Sequence, residues 1–156
     1  MKDLGSDLVS FQFKMVHRLL PTRQRVARLG LDDGQAGLCL HCRGEVEDLT
    51  HCFFDCPRNM VVGLGLLGCV QQLCPGLSAD AAVLLDLGAS LSETESLATL
   101  CILITGLKYI WEARLDKKVV HMYKMRAEIE AKVSILRKTR YSAVAITIDE
   151  LMNMMK

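Results

Sequence analysis

The chain has 156 residues, 51% hydrophobic and 24% charged, a composition that excludes an intrinsically disordered protein and leaves room for one domain with a real core. Its seven cysteines do not indicate a secreted disulfide scaffold, because their number is odd and the N-terminal residues have no apolar signal core. We therefore expect an intracellular protein, nuclear or cytoplasmic, with a formal net charge of +1 and reduced thiols.

The N-terminal part of the chain predicts a helix, a sharp turn and a second helix. Between residues 6 and 20, apolar side chains recur at helical spacing, at Leu8, Phe11, Met15 and Leu19. Pro21 is expected to end this helix, because the residue before a proline avoids helical angles. Thr22 is a candidate N-cap for a short helix over Arg23 to Leu29.

The rest of the chain predicts an irregular loop followed by further helices. Residues 31 to 56 have no sustained hydrophobic period and can contain a short β-hairpin around Arg43 and Gly44. Helices are then expected from Pro57 to about Leu73, from Ser78 to Leu87, from Ser92 to about Asp116, and over a last stretch that ends near Leu136. Ser92 and Glu95 match a capping box. The fold class is mainly α, a small helical domain with an irregular zinc-bound loop.

We divide the chain into three regions. Residues 6–60 form a helix-turn-helix with the metal module, residues 61–140 form a helical region, and residues 141–156 form a tail whose structure the sequence leaves open. The longest apolar runs, Met60 to Val70 and Leu100 to Ile104, are well short of the ~20 residues of a membrane-spanning helix. We expect no membrane segment.

Four residues in the loop have the spacing of a metal site, Cys39-x2-Cys42-x8-His51-x4-Cys56. Two cysteines separated by two residues can bind one ion from a tight turn, and a His-x4-Cys pair can supply the other two corners of a tetrahedron. Three thiolates and one imidazole favour Zn²⁺. Because four protein ligands leave no position for water, the predicted zinc is structural rather than catalytic.

The neighbourhood of these ligands leaves one alternative open. Cys52 adjoins His51, so that a ligand set with Cys52 in place of the histidine is conceivable. His41 lies between the first two cysteines and is expected to face solvent. The pattern Gly63-x-Gly65-x-x-Gly68 matches a dinucleotide-binding motif, but no adequate strand precedes it, and we do not expect a dinucleotide site.

Charge is strongly segregated along the chain. The segment from Leu8 to Leu31 has five basic residues and no acid, whereas the segment from Asp32 to Asp55 has six acids and Arg43 as its one basic residue. The predicted nucleic-acid-binding residues are those five basic residues, which can neutralise phosphates: Lys14, Arg18, Arg23, Arg25 and Arg28. The plain alternative is that they form solvated faces of helices packed on the core.

A wider pattern surrounds the ligands. It consists of His17 to Arg23 (HRLLPTR), Arg28 to Leu31 (RLGL), the residues Cys39, Cys42, Glu47 and His51, and Phe53 to Pro57 (FFDCP). This pattern, over residues 11–60, resembles the zinc-binding domain downstream of the polymerase in non-LTR retrotransposon reverse transcriptases. The segment Lys108 to Trp111 loosely resembles the helical segment that often follows. Cys52 departs from the pattern, since an aliphatic residue is more usual there.

The resemblance implies a module that helps a reverse transcriptase polyprotein to hold RNA or DNA and is not itself catalytic. Its implied partners are RNA, DNA and the remainder of such a polyprotein, with no small-molecule substrate. We expect no enzyme, because no nucleophile, base and orienting group come together in the sequence. The alternative function is a zinc-stabilised protein-interaction domain.

Overall fold

The computed structural model describes residues 5–31, 34–87 and 91–154. Within these residues the chain forms a π-helical turn, His51–Asp55, and seven α-helices: α1 (Ser6–Val16), α2 (Arg23–Arg28), α3 (Met60–Gln71), α4 (Ala79–Leu84), α5 (Glu93–Leu115), α6 (Met122–Leu136) and α7 (Ser142–Met154). The possible hairpin is an isolated antiparallel bridge between Leu38 and Val46, and the described segments contain no β-strand. The mainly α fold class is confirmed.

Helix α5 is the centre of the fold. Helices α1, α3, α6 and α7 and the π-helical turn all pack against it. Its middle is buried on every side, because the seven consecutive residues from Cys101 to Leu107 are all buried. The predicted capping box is confirmed, since the Ser92 hydroxyl accepts from the Glu95 N–H and the Glu95 carboxylate accepts from the Ser92 N–H.

By length and composition alone, α5 is also apolar enough to cross a membrane. In the folded chain, however, 67% of its most apolar window is buried inside the protein. A helix that other helices surround has no water around it, and neither has a membrane span. Both are therefore apolar on all their faces. The composition of α5 is therefore explained by its central position.

The first helix is shorter than the sequence predicts. Helix α1 ends at Val16, and the chain turns at Arg18, which has a left-handed φ of 53°. Leu19, the last residue of the predicted apolar pattern, is 40% exposed, whereas Leu20 is buried. The helix therefore ends ahead of Pro21, and the proline is not what terminates it. The Thr22 cap of α2 is confirmed, because its hydroxyl accepts from the Arg25 N–H at 3.3 Å.

The next two helices are also shorter than predicted. Helix α3 begins at Met60, because the residues from Pro57 to Asn59 form a turn after the metal loop. Helix α4 has the predicted Ser78 cap but ends before Leu85, whose φ is left-handed at 55°. The glycine-rich pattern lies inside α3 and forms no phosphate-binding loop.

The end of the chain forms α7, for which the sequence made no prediction. It packs on α5, α6 and α3, and its inner face buries Val144, Ala145, Ile148, Leu151 and Met152. One hydrophobic core runs from α1 to α7, across residues 60 and 140. The division of the chain into three regions stays a prediction.

Candidate metal centre and neighbouring basic groove

The four predicted ligands lie together. Their ligand atoms are all within 4.8 Å of one another. The sulfur atoms of Cys39 and Cys56 are 3.9 Å apart, and the Cys42 sulfur is 3.4 Å from Nε2 of His51. Cys42 is half-buried, whereas the other three side chains are buried. This group can hold a metal ion.

A tight turn presents the first two ligands. The Arg43 N–H donates to the carbonyl of Cys39 at 2.9 Å, and Arg43 has a left-handed φ of 56°. On either side of the turn, the Cys39 N–H donates to the Glu45 carbonyl and the Glu47 N–H donates to the Gly37 carbonyl. These few antiparallel hydrogen bonds order a loop that has almost no apolar core of its own.

The π-helical turn presents the other two ligands. Its closing hydrogen bond runs from the Cys56 N–H to the His51 carbonyl at 2.8 Å, five residues apart. In an α-helix, residues five apart point about 140° away from each other, whereas the wider π-helical turn brings them closer to one side. Asp48 starts this turn, because its carboxylate accepts from the His51 N–H at 2.8 Å. The His-x4-Cys spacing and the π-helical geometry therefore belong together.

The histidine, and not its neighbour Cys52, belongs to the cluster. Cys52 is 1% exposed and packs in the hydrophobic core with Phe53 and Phe54. Burial raises the pKa of the Cys52 thiol, which keeps it protonated. The alternative ligand set with Cys52 is therefore not the one that the fold assembles.

The cluster thiols differ in how easily they ionise. Burial raises the pKa of Cys39 to about 12 and also raises the pKa of Cys56. Burial opposes ionisation of Cys42 too, but hydrogen bonds from the Gly44 and Glu45 N–H groups outweigh it and lower the pKa of that thiol. Because the thiolate is the ligand form, a bound cation has to displace protons from at least Cys39 and Cys56.

A buried ion pair attaches the metal loop to α5. Glu47 is 1% exposed and Arg114 is 8% exposed, and the guanidinium pairs with both carboxylate oxygens, with Nε 3.1 Å from Oε2. Glu47 also receives the Arg23 N–H on its carboxylate and the Gln24 N–H on its carbonyl, each at 3.0 Å. Glu47 thus connects the metal loop, the start of α2 and the end of α5.

Two neighbours complete this connection. His41 is half-buried, with Nε2 3.2 Å from the Arg114 carbonyl, so that the prediction of a solvent-facing His41 was wrong. The Arg114 guanidinium lies 4.5 Å from the centre of the Trp111 ring, and Trp111 contacts the Phe53 ring at 6.4 Å between centroids. No neighbouring residue in the sequence points to this role of Arg114, because its partners Glu47 and His41 are distant along the chain.

Three of the five predicted nucleic-acid-binding residues line one groove of about 570 Å³ next to the metal loop. They are Arg18, Arg25 and Arg28, and the Arg25 guanidinium donates to the Arg18 carbonyl at 2.7 Å. Lys14 is exposed on α1 and does not line this groove, and the half-buried Arg23 has its N–H on Glu47. The basic block is therefore concentrated at α2 and the turn before it.

The chain matches no protein-family model, no curated protein and no solved structure.

Proposed function

We propose that this chain is a zinc-binding, nucleic-acid-associated module of a retroelement reverse transcriptase polyprotein, or a remnant of one, without catalytic activity of its own. The observation that carries the proposal is the Cys39, Cys42, His51, Cys56 cluster, whose four ligand atoms already lie within 4.8 Å of one another. The residues around the cluster resemble the zinc-binding domain of non-LTR reverse transcriptases.

Two distances within the cluster support Zn²⁺ as the metal. With Zn–S bonds of about 2.3 Å and Zn–N bonds of about 2.0–2.1 Å, the edges of the tetrahedron are about 3.8 Å between sulfurs and about 3.6 Å between sulfur and nitrogen. The distances of 3.9 Å between Cys39 and Cys56 and 3.4 Å between Cys42 and His51 are close to these edges. Bound zinc would act as a structural cross-link, because all four positions are taken by protein ligands.

The groove lined by Arg18, Arg25 and Arg28 supports the nucleic-acid part of the proposal. Arginine binds phosphate oxygens with two N–H donors at once. The metal loop itself is a poor phosphate site because acids predominate in it. In this proposal zinc acts indirectly, by stabilising the metal loop. Glu47 of this loop accepts hydrogen bonds from the Arg23 and Gln24 N–H groups and so positions the arginines of α2.

The zinc site is tested by Cys42→Ser, with Cys69→Ala as the control for a cysteine outside the cluster. We expect the purified wild type and the control to keep one equivalent of zinc after dialysis against a weak chelator, and Cys42→Ser to lose it because binding depends on all four ligands. Metal content by atomic absorption measures this. A Cys42→Ser protein that keeps one tight equivalent would refute the site.

The nucleic-acid surface is tested by replacing Arg18, Arg25 and Arg28 together with glutamine. The control replaces three exposed lysines outside the groove with glutamine and so changes the net charge by the same amount: Lys117, Lys124 and Lys138. Fluorescence anisotropy with labelled oligonucleotides at several salt concentrations gives the slope of log K against log salt. We expect the arginine variant to lower the magnitude of this slope by roughly 2, since each phosphate contact contributes about 0.7–0.9. Equal effects of both variants would contradict the proposed surface.

A single substitution separates the loss of a phosphate contact from unfolding as the cause of weaker oligonucleotide binding. Arg18 has a left-handed φ of 53°, which costs an L-residue about 1–2 kcal/mol and glycine almost nothing. Arg18→Gly should therefore weaken binding of oligonucleotides while the free energy of unfolding stays the same or rises. Unchanged binding by Arg18→Gly would show that the Arg18 side chain does not contact the oligonucleotide.

A second candidate, a zinc-stabilised protein-interaction domain, is favoured by one observation. The outer face of α1 exposes an apolar row one turn apart, Val9, Phe13 and Val16, of which Phe13 is 57% exposed. Such a row is typical of a helix that packs against another protein. Absence of salt-dependent binding to any RNA or DNA would favour this second function.

A further inference from the structure

The groove beside the metal loop is polarised rather than uniformly basic. Its arginines come from α2 and the turn before it, whereas Asp48 and Asp80 line it from the end of the metal loop and the first turn of α4. The Asp48 carboxylate caps the π-helical turn by accepting from the His51 N–H, so that Asp80 is the carboxylate whose place in the groove needs an explanation, because a carboxylate repels phosphate. The groove therefore fits a ligand that is anionic on one side and donates hydrogen bonds on the other.

The Asp80 carboxylate is oriented by a neighbour. The Thr50 hydroxyl donates to Oδ1 of Asp80 at 2.9 Å, across two segments that are 30 residues apart. Thr50 immediately precedes the zinc-ligand candidate His51, so that the metal loop and α4 present this carboxylate together. A carboxylate held in this way is an acceptor for N–H groups and cannot donate when ionised.

The polar residues Thr22, Gln24 and Thr50 also line the groove, and its aliphatic lining consists of Leu20, Leu29, Leu49, Val83 and Leu84. Of these, Leu29 and Leu84 are exposed and can cover the flat face of an aromatic base. A lining of guanidinium groups, aliphatic surface and carboxylates has the three kinds of contact that a nucleotide requires, to its phosphate, to its base face and to its base edge.

We propose that this groove binds unpaired nucleotides of a single strand, with phosphates on Arg18, Arg25 and Arg28 and with a base bearing an exocyclic amino group on Asp80. The inference rests on the proposed nucleic-acid function and narrows it to single strands. A volume of about 570 Å³ is that of a small-molecule pocket and accommodates one or two nucleotides rather than a duplex. Bases of a duplex are stacked and paired, whereas an unpaired base can enter a pocket with its whole edge accessible.

Cytosine and uracil provide a matched pair of ligands. They have the same size but differ at position 4, where cytosine has an amino group and uracil a carbonyl oxygen. A carboxylate placed at position 4 accepts from the amino group and is repelled by the carbonyl oxygen. We expect the wild-type, zinc-loaded protein to bind oligocytidine about five- to tenfold more tightly than oligouridine of equal length, measured by anisotropy as RNA and as DNA. Oligocytidine annealed to its complementary strand should bind more weakly than single-stranded oligocytidine.

Asp80→Asn is the decisive variant, and Glu150→Gln on α7 is its control, since it removes one negative charge at an exposed position far along the chain. Asp80→Asn should remove the preference for cytidine, with overall affinity equal or higher, and Glu150→Gln should keep the preference. Thr50→Val should weaken the preference without changing net charge.

The two proposals fail in different ways. Equal binding of cytidine and uridine strands, a preference that survives Asp80→Asn, or equal binding of a duplex would overturn the single-strand inference and leave the proposed function standing. Absence of salt-dependent binding to any of these oligonucleotides would overturn both.

Discussion

At the residue scale, the chemistry around the metal cluster depends on Glu47 and Arg114. Both are charged side chains that proteins rarely bury unless they are paired. Each lies against several partners, so that the pair holds the metal loop, α2 and α5 in one arrangement. The position of the basic groove relative to the metal site is therefore determined by one ion pair as well as by the metal ligands.

The first prediction concerns this ion pair. Glu47→Gln leaves the Arg114 guanidinium buried without a counter-charge, and we expect the free energy of unfolding of the zinc-loaded protein to fall by about 3–5 kcal/mol. The control is Asp149→Asn, which breaks the exposed pair with Arg137 and should cost less than about 1 kcal/mol. Urea denaturation followed by circular dichroism measures both. A similar, small loss for the two variants would show that the buried pair is not a structural link.

The second prediction concerns pH and two cysteines outside the metal cluster. Burial raises the pKa of Cys69 and of Cys101 to about 11 from an ordinary value of 9.0. Between these values the unfolded chain has lost the thiol protons that the folded chain retains, so that stability falls as pH rises. Stability should be complete below pH 9 and decrease towards pH 11, by roughly 1–3 kcal/mol per thiol.

Cys101→Ala isolates this effect. The variant should lose less stability than the wild type between pH 9 and pH 11, measured by urea denaturation at each pH, because it has one thiol fewer that must ionise on unfolding. An unchanged pH profile would show that Cys101 titrates normally in the folded protein.

At the scale of elements, the contact between α3 and the π-helical turn determines the geometry of two ligands. Gly63 of α3 lies directly against the turn, since a Cβ built on it would be 1.9 Å from the carbonyl oxygen of Phe53. The glycine permits the two backbones to approach. Phe53 lies between His51 and Cys56, so that this approach supports the wide turn on which both ligands depend.

The third prediction follows from this contact. Gly63→Ala should destabilise the protein by at least about 1–3 kcal/mol through overpacking, and should weaken zinc binding because the turn must shift. Gly68→Ala, in the same helix, is the matched control: a Cβ there meets nothing within 4 Å, and alanine favours the helix by up to about 1 kcal/mol. Thermal denaturation and competition with a zinc chelator measure the two effects. Equal behaviour of both variants would contradict the close packing.

At the scale of the whole molecule, the metal loop is attached to a helical body that has its own core. Helix α5 is the common partner of the other long helices, and α7 closes one side of it. The C-terminal helix therefore belongs to the core, although its sequence carries no cap or motif that predicted it.

The fourth prediction is that removal of residues 141–156 unfolds the protein. Helix α7 buries five apolar side chains. Burial of each of the four that are larger than alanine contributes roughly 1.5–3 kcal/mol. Their sum is comparable with the total stability of a domain, about 5–15 kcal/mol. The truncated chain should lose cooperative thermal unfolding. A truncated protein that still unfolds cooperatively and binds zinc would show that α7 is dispensable.

The amino-acid sequence by itself determined what depends on neighbouring residues. The spacing of Cys39, Cys42, His51 and Cys56 predicted a cluster that can hold a metal ion. The Thr22, Ser78 and Ser92 caps are where the sequence predicted them, because a cap satisfies N–H groups within three residues. The alternation of basic and acidic segments also predicted which part of the chain is basic, and three of those basic residues line one groove. Each of these properties is local.

Tertiary structure decided what depends on distant residues. His51 rather than Cys52 joins the cluster, because the π-helical turn directs His51 towards the three cysteine ligands and Cys52 into the hydrophobic core. Helix α1 ends at Val16 because the chain turns to bury Leu20, which no local rule requires. The Glu47–Arg114 pair and the groove both join residues far apart in the chain, and their contacts exist only once the helices have packed.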